Sequence, residues 1–249
     1  MITLYHRPQT FEEALKLLSA PNTRPLGGGT LLSHPSDESF AVVDLQALGL
    51  DKLHKSGNNL EIGATLTLQA LLESPHTAAA LKAAIKLEAP LNLRNMGTVA
   101  GALVTCDGGS PFAAVMLAMD ARLTVDGGQP IVYGLGDFLP LRHDLLKSKL
   151  LTNIEIPLNI KLAYEYVARS PADKPIICSA LAQWPSGRTR LVVGGWGKTP
   201  TLAMDGNEPS GLEFAARNAA HDATDQWASA EYRSAVAVVL AKRCLEHLS

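Results

Sequence analysis

Three consecutive glycines and a threonine, Gly27-Gly28-Gly29-Thr30, stand between Leu26 and the pair Leu31-Leu32. Glycine loses more conformational freedom on folding than any other residue, so such a run is typical of backbone that approaches another group closely or takes positive φ angles. Successive N–H groups in a turn of this kind form a concave site for an anion such as phosphate. The run has neither the Gly-Lys-Ser/Thr of a P-loop nor the spacing of GxGxxG. The alternative interpretation is a tight turn between a helix and a strand.

A second segment of small residues, 94–105, lies about 70 residues further along the chain. By itself it is typical of a packed, glycine-containing entry to a strand. Two small-residue loops together can hold the two ends of one pyrophosphate, and their combination therefore predicts a nucleotide site. The candidate binding residues in and beside this segment are Thr98, Val99, Ala100, Gly101, Ala102, Thr105 and Asp107.

The rest of the chain shows little sign of other chemistry. The seven histidines have no ligand spacing, no G-x-S-x-G occurs, and no pair of carboxylates marks an acid–base centre. The three cysteines form no CxxC pair, so we expect no zinc site and no iron–sulfur cluster on this chain. We predict no catalytic residue and no metal ligand.

Composition excludes several classes of function. The 249 residues carry 22 Lys and Arg against 24 Asp and Glu, a formal net charge of −2. The chain therefore lacks the excess of positive charge that binds a nucleic-acid backbone. No apolar run approaches the roughly 20 residues that span a bilayer, and the N-terminus lacks the apolar stretch of a signal peptide. With unpaired cysteines, these features predict a protein of the reducing cytoplasm. The low charge also suits a surface that faces a protein partner.

The elements that position the two loops follow from caps, periodicity and turns. Thr10 and Glu13 form a capping box, Ser74-Pro75 and Ser110-Pro111 open further helices, and 122–125 with 130–133 reads as a hairpin. From residue 158 the pattern changes to three sequential strands and then two helices. The predicted ranges of these last elements are 162–167, 176–184, 188–194, 212–220 and 230–248.

The two loops and several later segments resemble one family, the FAD-binding medium subunits of molybdenum hydroxylases such as carbon monoxide dehydrogenase and xanthine dehydrogenase. The first loop is similar to the family's A-G-G-T-D-L-L and the second to its R-N-x-A-T-I-G-G-N. The later segments that match in order are Ala118-Met119-Asp120-Ala121, Gly136-Asp137-Phe138, Leu151-Thr152-Asn153-Ile154-Glu155-Ile156-Pro157 and Ser229-Ala230-Glu231-Tyr232-Arg233.

The resemblance implies an α+β fold. A two-lobed FAD-binding domain of the vanillyl-alcohol-oxidase (PCMH) type would occupy residues 1–157, with lobes of about 1–55 and 56–157. A small domain with a three-stranded sheet and helices would occupy 158–249. It also implies that both loops hold the FAD pyrophosphate through backbone N–H groups and that Leu151 packs near the flavin. Electrons would pass from a two-iron, two-sulfur small subunit to the flavin and on to an acceptor, with molybdopterin on a large subunit.

Several positions depart from the family pattern. Leu31 replaces a polar or acidic residue, Ala100 a loop glycine, Ala102 an Asn or Asp, and Pro111 an Asp that helps to fix the ribose region. Each lost hydrogen bond is worth roughly 0.5–1.5 kcal/mol, so four losses would weaken FAD binding by several kcal/mol. The alternative function is therefore a flavin-free relative that acts as a scaffolding or binding subunit. The substrate of the complex, its terminal electron acceptor and its oligomeric state are not encoded in these patterns.

Overall fold

The computed structural model of the chain describes residues 1–35 and 37–248. These residues group into two compact units, each made of separate stretches of chain. Unit 1 comprises residues 1–73, 91–104 and 122–155, and unit 2 comprises 74–90, 105–121 and the remainder from 156. The domain boundary predicted after residue 157 stays a prediction.

The described residues form strands and helices that we number in chain order. The strands are β1 Ile2–His6, β2 Thr23–Leu26, β3 Phe40–Asp44, β4 Leu53–Ser56, β5 Asn59–Gly63, β6 Arg122–Asp126, β7 Pro130–Gly134, β8 Leu150–Pro157, β9 Lys161–Val167, β10 Ile177–Gln183, β11 Thr189–Gly194 and β12 Thr201–Gly206. The helices are α1 Phe11–Leu18, α2 Leu68–Glu73, α3 Ala79–Glu88, α4 Leu91–Met96, α5 Val99–Val104, α6 Pro111–Ala118, α7 Leu135–Leu145, α8 Leu212–Ala219 and α9 Ala230–Leu248.

A small parallel sheet in unit 1 leads into the first glycine loop. Its strand order is β1-β3-β2, and both neighbouring pairs run parallel. Helix α1 packs on it through Ala14 and Leu18. The capping box is present in part, since Thr10 Oγ1 accepts a hydrogen bond from Glu13 N at 3.2 Å. Glu13 itself accepts from Gln9 N rather than from the Thr10 amide, and the helix still begins where the sequence predicts.

A second sheet in unit 1 supports the other loop. Its strand order is β4-β5-β8-β6-β7, and the predicted hairpin forms as the antiparallel pair β6 and β7. Leu60 and Ile62 of β5, with Leu123 of β6, are fully buried. Strand β5 precedes the second loop in the sequence and strand β6 follows it, so the chain is anchored in this sheet before and after the loop.

Unit 2 is built on an antiparallel sheet in the order β12-β11-β10-β9. Strands β10 and β11 are buried along nearly their whole length, because α9 packs on one face and α6 contacts the sheet as well. The core against α9 includes Leu181, Val193, Leu240 and Cys244. All eight residues of α6 are buried, as expected for a helix that is apolar on every side.

The α+β fold class predicted from the sequence is confirmed, with corrections in detail. The C-terminal sheet has four strands, not three, because Thr201–Gly206 adds an edge strand. Helix α3 begins at Ala79 rather than at Ser74-Pro75, because Ser74 closes a turn, with its Oγ accepting from His76 N. The segment 99–104 is helix α5, not the entry to a strand.

Candidate functional site

The first glycine loop continues directly from β2. Its first residues stay partly exposed, and Gly29 has a φ of +69°, in the left-handed region that favours glycine. The loop then turns back on itself, with Ser33 N donating to Gly29 O at 3.0 Å. Glycine at position 29 therefore adopts this conformation without the strain that a side chain would add.

The second loop is the short connection between α4 and α5. Gly97 O accepts from Leu68 N at 2.9 Å, and Val99 N donates to Leu66 O at 2.8 Å. Thr98 caps α5, since its Oγ1 accepts from Gly101 N at 3.1 Å. Segment 64–68 thus holds the second loop in position by main-chain hydrogen bonds.

The two loops meet within unit 1. A Cβ on Gly28 would overlap the carbonyl oxygen of Met96, and a Cβ on Gly27 would lie 2.9 Å from Thr98 Oγ1. A Cβ on Gly97 would lie 3.8 Å from Thr30 Cγ2. The convergence on which the nucleotide prediction rests is therefore present, and the glycines make it sterically possible.

Backbone donors remain available in the first loop. Within residues 1–35 and 37–248, the N–H groups of residues 28–32 donate no hydrogen bond to the chain. A run of partly exposed amides around a residue of positive φ is the arrangement that binds phosphate oxygens. The loop therefore fits a pyrophosphate through its backbone, and this fit is independent of which side chains stand at 31 and 32.

The other predicted site residues occupy varied positions. Leu26 ends β2, Leu31 is 54% exposed, and Leu32 is half-buried. Ala100 and Ala102 lie in α5, where Ala100 N donates to Ala64 O at 3.2 Å.

Leu151 is buried in β8, and the next residue is hydrogen-bonded to the segment that holds the second loop, since Thr152 O accepts from Ala64 N. Thr105 and Asp107 belong to unit 2, whereas both glycine loops belong to unit 1. The binding roles predicted for all of these residues stay predictions.

The start of α6, where Pro111 stands, is held by hydrogen bonds to Glu88 of α3. Ser110 is the N-cap, with its Oγ accepting from Ala113 N, and it donates to Glu88 Oε2 at 2.7 Å. The same oxygen accepts from Phe112 N at 3.1 Å. Burial raises the pKa of Glu88, although the Ser110 hydrogen bond opposes this shift. Sequence reasoning missed Glu88, because nothing in its neighbourhood marks it as the partner of a helix 22 residues later.

Arg233 is a second residue whose role the sequence does not reveal. It is fully buried and donates to the carbonyl oxygens of Ile176 and Ala223 and to both carboxylate oxygens of Asp225. The loop between α8 and α9 is thereby tied to the start of β10. The only sequence signal was the resemblance of the segment 229–233 to a family landmark.

The described residues contain no metal-binding group. Among residues 1–35 and 37–248, no three His, Cys, Asp or Glu side chains come together to hold an ion. Over the same residues, none of the helices has the length and apolar character needed to cross a membrane.

Comparison with known proteins assigns this geometry to a class. The family described as the FAD binding domain in molybdopterin dehydrogenase matches residues 1–159. The glyceraldehyde dehydrogenase medium chain of Sulfolobus acidocaldarius is 29% identical over 219 residues, covering 81% of this chain and 78% of that protein. The carbon monoxide dehydrogenase medium chain of Afipia carboxidovorans is 30% identical over 199 residues, covering 74% of this chain and 69% of that protein.

A solved structure shows the same fold over the full chain. Carbon monoxide dehydrogenase from Oligotropha carboxidovorans superimposes with a TM-score of 0.81 at 26% identity, covering 100% of this chain and 98% of that chain. The chain belongs to the FAD-binding domain family of the molybdopterin dehydrogenases. FAD is the cofactor of this family, and the convergent glycine loops fit its pyrophosphate.

Proposed function

We propose that the chain is the FAD-carrying electron-transfer subunit of a molybdopterin-dependent dehydrogenase or hydroxylase. The observation that carries this proposal is the contact between the two glycine loops, which leaves a row of backbone donors on residues 28–32. When bound, FAD supplies two-electron and one-electron redox chemistry. No acid–base pair is required of the protein for this role, in agreement with the lack of one in the sequence.

The contribution of the chain's own residues is to bind and orient. The amides of residues 28–32 are proposed to donate to the phosphates, and Thr30 and Thr98 add hydroxyl groups beside them. Thr98 already accepts from Gly101 N, so its hydroxyl proton remains to be donated. Main-chain groups supply most of the donors in this proposal. Leu31 and Ala102, which stand where the family pattern has polar residues, therefore weaken FAD binding without removing it.

The proposed partners follow from the relatives. Two of them are named as medium chains of a glyceraldehyde dehydrogenase and a carbon monoxide dehydrogenase. We propose that this chain likewise joins a molybdopterin-binding large subunit and a small subunit with a two-iron, two-sulfur cluster. The proposed compartment is the reducing cytoplasm, which suits the buried thiols of Cys106, Cys178 and Cys244.

The experiment is an FAD titration of the purified chain, followed by flavin fluorescence and by the melting temperature. Wild type is expected to saturate and to melt at a higher temperature with FAD, since a ligand that binds only the folded state stabilises it. Gly28→Ala forces the two loops apart and removes at least two charge-assisted hydrogen bonds. At about 1.5 kcal/mol or more for each bond, binding should weaken roughly 100-fold.

Gly206→Ala is the matched control for this substitution. A Cβ at Gly206 lies 3.6 Å from its nearest neighbour, Glu208 O, at ordinary contact distance. It should leave both FAD affinity and melting temperature unchanged. Unchanged affinity in Gly28→Ala, with a wild-type melting temperature in the absence of FAD, would refute the placement of the pyrophosphate.

The second candidate function is a flavin-free scaffolding subunit. One observation favours it. At the start of α6 the resemblance implies a polar contact to the ribose region, but the Ser110 hydroxyl and the Phe112 amide there already donate to Glu88 of the same chain. Under this function, micromolar FAD would neither saturate the chain nor raise its melting temperature. The same titration therefore decides between the two candidates.

A further inference from the structure

Strand β1 forms an open edge of the small parallel sheet in unit 1. In the order β1-β3-β2 it has β3 on one side, and within residues 1–35 and 37–248 no strand pairs with its other side. An edge strand presents a row of main-chain N–H and C=O groups that can pair with a further strand. From Leu4 to His6 the register with β3 is regular, and the irregularity lies before Leu4. This part of the edge therefore has the regular geometry that a further strand needs.

The side chains of β1 are exposed on both faces of the sheet. Leu4 is 59% exposed and Tyr5 is 57% exposed, and adjacent residues of a regular strand point to opposite faces. The core beneath α1 includes Val43 of β3, but none of the described residues that form this core belongs to β1. The apolar side chains of β1 therefore add nothing to the core beneath α1.

The other edge strands carry residues that discourage pairing with a further strand. The sheets of the described residues have six edge strands, and natural proteins protect such edges with charged side chains or proline. Five of the six follow this rule, with Arg24 and Pro25 in β2, Lys55 in β4, Pro130 in β7, Lys161 and Glu165 in β9, and Asp205 in β12. The sixth, β1, has the sequence Ile-Thr-Leu-Tyr-His and contains neither kind of residue. An apolar edge without this protection promotes aggregation unless a partner covers it.

Two side chains hold β1 in its exposed position. The Tyr5 hydroxyl donates to Asp44 Oδ2, and Thr3 Oγ1 donates to Phe40 O at 3.2 Å. Both acceptors belong to β3. The edge is thus preformed, which lowers the entropic cost of adding a strand to it.

The length of β1 indicates which occupant its edge fits. A stable interface between two proteins buries about 800 Å² on each side and involves about 20–30 residues of each. Strand β1 has five residues, so pairing it with the same strand of a second copy would fall well short of a stable dimer. A subunit that contacts the chain elsewhere can add one extended segment here without supplying the whole interface. Strand addition of this kind gains affinity from main-chain hydrogen bonds and specificity from alternate side chains.

We propose that the outer edge of β1 binds an extended, uncharged segment of a partner subunit, which adds a strand to the sheet. The segment carries apolar side chains on both faces, because it lies beside Leu4 on one face and Tyr5 on the other. This inference rests on the proposed membership of the chain in a complex, but it does not require that FAD be bound.

The test uses the full chain with the molybdopterin-binding large subunit and the iron–sulfur small subunit, each purified separately. Hydrogen exchange followed by mass spectrometry should show that the amides of residues 2–6 exchange at least about tenfold more slowly in the complex. Leu4→Lys removes an apolar contact and places a charge against the added strand, so subunit binding should weaken at least about tenfold. The matched control is Leu202→Lys, because Leu202 is an exposed leucine of the edge strand β12, and it should leave the affinity unchanged.

Three results would overturn the proposal. The first is unchanged exchange of residues 2–6 in a complex that forms, or wild-type affinity in Leu4→Lys. The second is a dimer of the free chain in sedimentation that Leu4→Lys dissociates, because the edge would then belong to a second copy. The third is the absence of a complex with either subunit. The FAD titration uses the chain without partners, so failure of FAD binding and failure of this edge to bind a subunit can be told apart.

Discussion

Replacing the buried Arg233 with methionine should strongly destabilise unit 2. The substitution keeps much of the side-chain volume but leaves the carbonyl oxygens of Ile176 and Ala223 without the donors that lie 2.9 and 2.5 Å away. A buried acceptor that loses its partner costs about 1–3 kcal/mol. Asp225 also loses its cation, but its side chain is 34% exposed, so water screens part of that loss.

The expected loss in the free energy of unfolding is therefore about 3–5 kcal/mol, within the range for removal of one partner of a buried ion pair. Urea unfolding followed by circular dichroism measures it. Arg243→Met is the matched control, because Arg243 lies on the same helix α9 and is exposed. The control should change the free energy of unfolding by less than about 0.5 kcal/mol.

The double variant Arg233→Met/Asp225→Asn separates the charge from the carbonyl acceptors. It should be less destabilised than the sum of the two single variants, because the second change removes the carboxylate that the first leaves without its cation. A loss below about 1 kcal/mol in Arg233→Met would refute the reasoning, since the buried acceptors would then be satisfied by other groups.

Three further predictions concern stability and reactivity. Because burial raises the pKa of Glu88, the folded state binds this proton more tightly than the unfolded state, and the contribution to stability is lost as pH rises through the raised pKa. Glu88→Gln should therefore unfold at an equal or higher urea concentration than wild type at pH 7, with a smaller advantage at pH 4; a lower midpoint at pH 7 would contradict this. Burial raises the pKa of Cys178 and of Cys244 to about 12, so a thiol reagent at pH 8 should label them only in urea. Rapid labelling of either of these two residues in the native chain, located by peptide mass spectrometry, would contradict their burial. Thr10→Ala removes the N-cap of α1 and should cost about 1 kcal/mol in thermal or urea unfolding, whereas no measurable loss would mean that water replaces the cap.

Local signals predicted those elements whose ends are set by nearby residues. The helix starts at Thr10 and Ser110 follow from side-chain acceptors placed three residues before an amide. The hairpin of β6 and β7 follows from a glycine turn between two apolar stretches. In each case the interaction that fixes the boundary of the element joins residues only a few positions apart. A short window of sequence therefore contains both partners.

The sequence patterns did not predict elements whose local signals are weak or contrary. Strand β1 is largely exposed and shows no clean alternation, and it exists because its backbone pairs with β3 about 40 residues away. Helix α7 contains Pro140, which argues against a helix in any local reading. Strand β12 is a mostly exposed edge strand, so its apolar pattern is weak.

The candidate site was partly predictable for the same reason. The glycine runs indicate close approach, and the structure supplies the approaching group, the carbonyl of Met96. What the sequence does not contain is the partner of each buried polar group. Glu88 binds Ser110, 22 residues away, and Arg233 binds Ile176, 57 residues away, in addition to its nearer partners Ala223 and Asp225. Only the folded chain brings the distant groups together.

The glycine contacts also determine which substitutions a second change can rescue. At Gly27 the obstacle to a side chain is the side chain of Thr98, so shortening Thr98 makes room for an alanine. At Gly28 and at Gly108 the obstacle is a carbonyl oxygen, which every amino acid carries. No partner mutation can therefore restore those two positions, and a randomised library of this chain should recover glycine at both while Gly27 and Thr98 vary together.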